Sequence, residues 1–118
     1  MTSPEPPTPA VFVLLVALSR VPRHGYGLGQ EVQRMTDGRV RLGAGTLYRS
    51  LQRMRVAGWV EESGSDTDDE RRRVYSLTPA GRSAARAETR RLADLVALAT
   101  EAGLLEDAPT PREDEHTP

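Results

Sequence analysis

The side chains best suited to chemistry in this sequence lie on one face of a short predicted helix. Leu47, Leu51 and Met54 recur at positions i, i+4 and i+7, which predicts a helix over residues 44–57 with these three side chains facing a core. A rotation of about 100° per residue brings a second set of residues onto or beside the opposite face. This set consists of Gly45, Thr46, Tyr48, Arg49, Gln52 and Arg53.

Such a face is able to read a nucleic acid. Arginine and glutamine match the donors and acceptors that base edges present in a major groove, and that groove admits one helix. Gly43, Ala44 and Gly45 have little or no side chain, so a phosphate can approach the backbone N–H groups at the start of the helix. An ordinary solvated helix face, charged for solubility, explains the same pattern. The helix alone does not decide between the two.

A run of three arginines, Arg71 to Arg73, stands at the start of a predicted strand. Alternation sends Arg72 to one side and Arg71 and Arg73 to the other, so some of them can reach backbone phosphates or a minor groove. The alternative role is neutralisation of the acidic residues just before them, which are Asp66, Asp68, Asp69 and Glu70. That acidic run lacks the spacing of a calcium loop, so no metal site is predicted.

The composition excludes several other kinds of chemistry. The 118 residues include no cysteine, which excludes disulfides, thiolate zinc sites and cysteine nucleophiles. The two histidines, His24 and His116, are too few for a histidine metal site. Gly25, Gly27 and Gly29 lack the spacing of a dinucleotide loop, and no strand is predicted before them. No cofactor is expected. No carboxylates or nucleophiles converge, so the sequence predicts a protein that is not an enzyme.

The formal net charge of −1 conceals a block pattern. Residues 1–58 carry +5, residues 59–70 carry −6, residues 71–91 carry +6 and residues 92–118 carry −6. Basic segments separated in this way permit nucleic-acid binding despite a nearly neutral total. The apolar run at residues 10–18 is too short to span a bilayer, and no basic segment precedes it. We therefore expect a cytoplasmic protein with no membrane partner.

Capping and turn residues divide the chain into elements. Thr8 and Thr78 each precede a proline and predict helix starts, while Gly58 predicts a helix end and Asp37-Gly38 a turn. Predicted helices cover residues 9–20, 25–35, 44–57 and 79–102, and predicted strands cover residues 59–63 and 72–77. Three compact helices, a hairpin and a long helix describe a mainly α, mixed α+β fold. This fold is a winged helix-turn-helix with a long C-terminal dimerisation helix.

The first predicted helix is apolar on nearly every side. One stripe holds Val11, Leu14, Leu15 and Leu18, and most of the remaining surface is also apolar. A helix of this kind must be covered on more than one side. A domain this small has little material for that, so the pattern favours a partner chain. Trp59 follows the third helix and is interpreted as a core residue that anchors the hairpin, with stacking on an aromatic ligand as the alternative.

Five short motifs occur in a fixed order between about residues 10 and 100. They are His24-Gly25-Tyr26, Gly45-Thr46-Leu47-Tyr48, Leu51-Gln52-Arg53-Met54, Ala57-Gly58-Trp59-Val60, and the segment RRRVYSLTPAG at residues 71–81. Any one of them is weak evidence. In this combination they resemble the PadR family of bacterial transcription regulators.

The resemblance implies a homodimeric repressor of nearby genes or of its own gene, released by a small molecule or another signal. By position, it implies DNA contacts from Tyr26, from residues 43–48 including Leu47, and from the wing arginines. It also implies that the C-terminal helix packs on the N-terminal helix of a partner. The candidate dimer contacts are then Val11, Phe12, Leu15, Leu92, Leu95, Val96 and Ala99. Arg49 stands where the family usually has proline, which adds a candidate phosphate or base contact.

These expectations divide the chain into four parts. They are a disordered arm at residues 1–8, a DNA-binding domain at 9–78, a dimerisation helix at 79–104 and a disordered acidic tail at 105–118. The expected partner is double-stranded DNA with a partly palindromic sequence. The rival hypothesis is a protein-interaction module that keeps the winged fold without DNA, supported by the acidic wing tip and tail. A small-molecule sensor is compatible with DNA binding.

Overall fold

The computed structural model describes residues 6–63 and 72–105. Helix α1 spans Pro9–Arg20, strand β1 Arg23–His24, helix α2 Gly25–Met35, helix α3 Ala44–Val56, strand β2 Val60–Ser63, strand β3 Val74–Leu77 and helix α4 Pro79–Glu101. The predicted fold class is confirmed: within these described residues, four helices accompany one small antiparallel sheet. The described residues form two compact units, one ending at Glu88 and one beginning at Thr89, and α4 runs through the boundary.

Local sequence signals place the helix ends. The Thr8 hydroxyl accepts a hydrogen bond from the Val11 N–H at 3.2 Å, and the Thr78 hydroxyl accepts one from the Gly81 N–H at 3.0 Å. Helix α3 ends when Gly58 adopts a φ of +82°. The Trp59 N–H then donates to the Met54 carbonyl at 2.8 Å, which closes the helix end and directs the chain into β2.

The strands differ from the prediction in number and length. Strand β1 was not predicted, yet the sheet has the order β1-β3-β2, with Arg23 opposite Tyr75 and Glu62 opposite Tyr75 on the other side. A strand of two residues is too short to show a period in the sequence, and β1 is defined only by its pairing with β3. Strand β3 begins at Val74 rather than at residue 72, so the alternation predicted for Arg72 and Arg73 does not apply.

Helix α1 lies at the centre of the core of the first unit. Its side chains pack with those of α2, α3 and the sheet, and the buried set is Val11, Leu14, Leu15, Ala17, Leu18, Leu28, Val32, Leu47, Leu51, Met54, Val60 and Tyr75. The apolar character of α1 on nearly every side is therefore explained within one chain, because other elements cover it on several sides. That pattern does not by itself require a partner chain.

Several expectations lie outside the described residues. These are the disorder of the arm at residues 1–5, the acidic wing tip at residues 64–70, Arg71, and the tail from residue 106 onward.

Candidate nucleic-acid interface

Helix α3 presents the predicted face to solvent. Leu51 and Met54 are buried, while the exposed residues are Gly43, Ala44, Gly45, Thr46, Arg49, Gln52 and Arg53. Leu47 lies on the other side and is only 4% exposed, so its side chain packs mainly in the core. Tyr48 is half-buried at the edge of the face. The helix thus carries two guanidinium groups and one carboxamide on a single open surface.

The start of α3 is open. Gly43 is the N-cap in an extended conformation and makes no side-chain capping bond, and a β-carbon built on it meets nothing within 4 Å. The first helical hydrogen bond runs from the Leu47 N–H to the Gly43 carbonyl at 2.9 Å. The N–H groups of the preceding three helical positions therefore have no acceptor within the helix. Together with the helix dipole they favour an anion at this end.

Helix α2 contributes an exposed tyrosine beside this end. Tyr26 is 58% exposed, and its hydroxyl oxygen accepts a hydrogen bond from the Gln30 carboxamide nitrogen at 3.2 Å. A cleft between α2 and α3 is lined by Tyr26, Gly29, Gln30, Gln33, Leu42, Ala44, Leu47 and Tyr48. Sequence reasoning missed Gln30 and Gln33. The signal for Gln30 was its spacing of four residues from Tyr26, which puts the two side chains on one face of α2.

A second, more polar cleft lies between the start of α1 and the outer face of α3. It is lined by Thr8, Ala10, Thr46, Arg49, Ser50 and Arg53. The Arg49 guanidinium folds back along α3, since a β-carbon built on Gly45 would lie 3.2 Å from its Nη1. Within residues 6–63 and 72–105, neither Arg49 nor Arg53 forms an ion pair. The contacts of the described residues therefore leave both guanidinium groups able to meet an anionic ligand.

The described wing arginines differ from one another. Arg72 is exposed, whereas Arg73 is half-buried and its Nη1 lies 3.4 Å from Oε2 of Glu62 on β2. Arg73 is thus engaged in a cross-strand ion pair with a strand residue. The alternative role of the arginine run, neutralisation of the acidic wing tip, concerns residues outside the described part of the wing.

A buried carboxylate joins α2 to β1. Glu31 is buried; Arg34 donates hydrogen bonds to it at 2.9 and 2.5 Å, and Arg23 lies 3.5 Å away. These Arg34 hydrogen bonds, with the positive charge of Arg23, hold the pKa of Glu31 below its ordinary value, although burial acts in the opposite direction. The same contact raises the pKa of Arg34. The cluster fixes the position at which α2 begins, and Tyr26 lies in that first turn.

Trp59 is half-buried and packs against the core, as the core interpretation expects. It also borders an open apolar groove, which is lined by Pro6, Pro7, Thr8, Val11, Arg53, Met54, Ala57 and Trp59. The groove leaves the alternative of an aromatic ligand beside Trp59 open.

The predicted dimer contacts fall into two groups. Val11 and Leu15 are 4% and 0% exposed in the single chain, so their own core already encloses them; Phe12 is half-buried. In the second unit, Leu95 and Val96 are 47% and 49% exposed, and Leu92 and Ala99 are half-buried. These four form an apolar stripe along α4 with a helical spacing of three and four residues.

The described residues contain no group of three or more histidine, cysteine, aspartate or glutamate side chains that could hold a metal ion. Across the same residues, no helix is both long enough and apolar enough to cross a membrane.

Three helices, a small antiparallel sheet with an exposed helix face and a long final helix define a winged helix-turn-helix protein. The family described as "Transcriptional regulator PadR-like family" matches residues 14–87, and the chain belongs to that family. The resemblance seen in the motifs is thereby confirmed. The family and its solved members are transcriptional regulators, and no catalytic role follows from the match.

Individual relatives agree with this assignment. The Mycobacterium tuberculosis protein named Transcriptional regulator Rv3488 is 39% identical over 72 residues, which are 61% of this chain and 64% of that protein. An uncharacterized 37.1 kDa protein in a transposon of Streptomyces fradiae is 35% identical over 89 residues, or 73% of this chain but 24% of its own length. The chain thus spans less than two thirds of either relative.

Solved structures show the same fold. A probable transcriptional regulator from Pseudomonas aeruginosa is 25% identical, with a TM-score of 0.61, over 92% of this chain and 71% of that one. A PadR family transcription regulator from Clostridium difficile is 20% identical, with a TM-score of 0.62, over 77% of this chain and 95% of that one. At that identity the second likeness concerns the fold alone.

Proposed function

We propose that this chain is a sequence-specific DNA-binding regulator that acts as a homodimeric repressor of nearby genes or of its own gene. One observation carries the proposal: the outer face of α3 is exposed, bears Arg49, Gln52 and Arg53, and contains no acidic residue among Ala44–Val56. Such a face is complementary to the acceptors of a major groove and to the phosphates beside it.

Helix α3 is the recognition helix in this proposal. Gln52 lies near the middle of the exposed face and reads a base edge. The open N-terminus of α3, at Gly43 to Gly45, approaches a backbone phosphate. Tyr26, which lies on α2, contacts a second phosphate of the DNA. Arg72 on the wing adds a sequence-independent contact, and Arg71, which lies outside the described residues, is proposed to do the same. Leu47 supports the helix from the core instead of touching DNA.

The second unit supports the dimeric part of the proposal. The apolar stripe of Leu92, Leu95, Val96 and Ala99 exposes side chains that water solvates poorly, and a second copy of the chain is the proposed cover. Phe12 is the predicted α1 contact that retains appreciable surface for the same interface. Two-fold symmetry would place the recognition helices in successive major grooves about 34 Å apart, so the operator is expected to be a partial palindrome.

Release by a small molecule is the regulatory part of the proposal. The apolar groove beside Trp59 supports it, because an indole ring at the edge of an open apolar surface can stack on a planar ligand. Trp59 is the only tryptophan in the sequence, so its fluorescence reports on this groove without interference. Quenching by one compound of an aromatic panel, together with release of bound DNA, would identify an effector.

The deciding experiment is fluorescence-anisotropy titration of the full chain against DNA from upstream of its own gene and against a scrambled duplex, across a salt series. We expect tighter binding to the upstream DNA, weakening steeply as salt rises because arginines displace counterions. Equal weak binding to both duplexes would contradict specificity for that DNA. Absence of binding at every salt concentration would favour the protein-interaction hypothesis.

A further inference from the structure

The cleft between α1 and α3 has the composition of an anion site. Two cations, Arg49 and Arg53, line it together with the hydroxyl-bearing residues Thr8, Thr46 and Ser50. Among the residues that the structure describes, no carboxylate lines the cleft and neither arginine has an ion-pair partner. Two like charges at positions i and i+4 of one helix repel each other, and a shared anion would relieve that repulsion.

The start of α1 adds donors to the same cleft. The Thr8 hydroxyl oxygen already accepts the Val11 N–H, so its own proton is free to be donated. Ala10 is in the first turn of α1, where backbone N–H groups have no acceptor within the helix. An anion bound here would face guanidinium, hydroxyl and amide donors from two helices. This arrangement suits a tetrahedral oxyanion such as a phosphate group.

The position of the cleft indicates the kind of phosphate that it binds. Arg49 folds back over Gly45 instead of extending away from α3, and Arg53 borders the side of the helix that faces α1. A helix seated in a major groove has bases in front of it and a sugar-phosphate strand along each side. We infer that the cleft binds one backbone phosphate of the DNA, held by Arg49 and Arg53 together with the start of α1. This inference rests on the proposed function.

The inference changes the roles given to two residues from sequence alone. The sequence makes both arginines candidates for base-edge contacts, because both lie on or near the outer face of the predicted helix, and it makes Arg49 a candidate for either a phosphate or a base contact. In the structure they lie at the edge of that face and line the cleft, whereas Gln52 lies outside the cleft and is left as the base-reading side chain. Arg49 and Arg53 then determine affinity and register on the duplex, while Gln52 determines sequence preference.

The test compares Arg49→Ala and Arg53→Ala with Arg55→Ala. Arg55 is a matched control because it is an exposed arginine on the same helix outside the cleft. Each cleft variant is expected to weaken binding to the upstream and the scrambled duplex by the same factor, roughly tenfold. Each should also lower the slope of log affinity against log salt by about 1. The control is expected to leave that slope unchanged. Gln52→Ala should reduce only the preference for the upstream DNA.

A second arm identifies the phosphate. Single methylphosphonate substitutions along the upstream duplex should locate one position at which the wild type loses affinity and Arg49→Ala loses no more. Loss of preference for the upstream DNA in Arg49→Ala and Arg53→Ala, with binding to the scrambled duplex intact, would overturn the inference and leave the proposed function standing. An equal effect of Arg55→Ala on affinity and salt slope would also overturn the inference. Any arginine on α3 would then contribute through its charge alone, whether or not it lines the cleft.

A third outcome separates the inference from the proposed function. If the wild type binds neither duplex, the proposed function fails. A titration with inorganic phosphate, monitored by NMR of the arginine Nε–H groups, then tests whether the cleft binds an anion at all. Shifts at Arg49 and Arg53 without a shift at Arg55 would retain it as a site for free phosphate. Absence of any shift would show that the cleft is not an anion site.

Discussion

Gly81 in the first turn of α4 lies directly against the backbone of Trp59. A β-carbon built on Gly81 would overlap the Trp59 carbonyl oxygen and would come within 2.9 Å of Cδ1 of Leu77. The same carbonyl accepts a hydrogen bond from the Thr78 N–H at 3.0 Å, and the Thr78 hydroxyl donates to the Gly58 carbonyl at 2.6 Å. The start of α4 is thereby joined to the end of α3.

Gly81→Ala is therefore expected to destabilise the protein, by about 1–3 kcal/mol, because backbone atoms must move to admit one methyl group. Urea denaturation at fixed protein concentration measures the loss. Gly27→Ala is the matched control: it lies inside α2, a β-carbon there meets nothing within 4 Å, and the change should stabilise the helix by up to about 1 kcal/mol. Similar midpoints for both variants would contradict the close approach at Gly81.

The buried carboxylate of Glu31 makes stability depend on pH. Its pKa is lowered in the folded protein, chiefly by the hydrogen bonds from Arg34, from an ordinary value near 4.5. The contribution is therefore complete above that ordinary value and is lost as the pH falls through the lower, folded-state value. Urea midpoints between pH 7 and pH 3 should show the wild type losing its advantage over Glu31→Gln at acid pH.

The control for Glu31 is Glu61→Gln, which removes an exposed carboxylate on β2. Because this side chain is exposed, the urea midpoint of the variant should differ little from that of the wild type. A difference for Glu31→Gln that does not shrink with falling pH would show that the carboxylate charge is not what stabilises the α2 start.

Tyr26 and Gln30 are expected to act as a pair in DNA binding. Because the Tyr26 oxygen accepts from Gln30, its own proton is directed away from α2 and can be donated to a phosphate. Tyr26→Phe and Gln30→Ala should each weaken binding, by about 0.5–1.5 kcal/mol, and the double variant should lose no more than Tyr26→Phe alone.

Gln33 lines the same cleft and supplies the comparison for this pair. Gln33→Ala should show no coupling to Tyr26→Phe in anisotropy titrations. Additive losses for Gln30→Ala and Tyr26→Phe would mean that Gln30 contributes to DNA binding independently and does not orient the hydroxyl.

The apolar stripe on α4 predicts where the proposed dimer can be broken. Val96→Glu puts a charge among Leu92, Leu95 and Ala99 and should weaken self-association at least tenfold, as measured by sedimentation equilibrium. Leu98→Glu tests the assignment, because Leu98 is 61% exposed on the same helix but lies outside the stripe. A monomer from Leu98→Glu and a dimer from Val96→Glu would place the interface on another face.

Much of this architecture follows from local chemistry, and so the sequence alone predicts it. Thr8, Gly58 and the Asp37-Gly38 turn act on hydrogen bonds and φ angles within a few residues, and all lie where the pattern expects them. The helices are long enough for their apolar periodicity to show, which is why their predicted ends agree with the structure to within one residue.

Features that depend on residues distant in the sequence follow only from the tertiary structure. Strand β1 exists because Arg23 and His24 pair with β3, about fifty residues further along the chain. Leu47 belongs to one of the motifs that carry the family resemblance, yet its side chain is enclosed by the core and only its neighbours face outward. The cleft of Arg49 and Arg53 needs the start of α1 as its other wall, and no periodicity within α3 reveals that neighbour. Local rules therefore determined the elements of this protein, and packing between them determined which side chains remain free to bind.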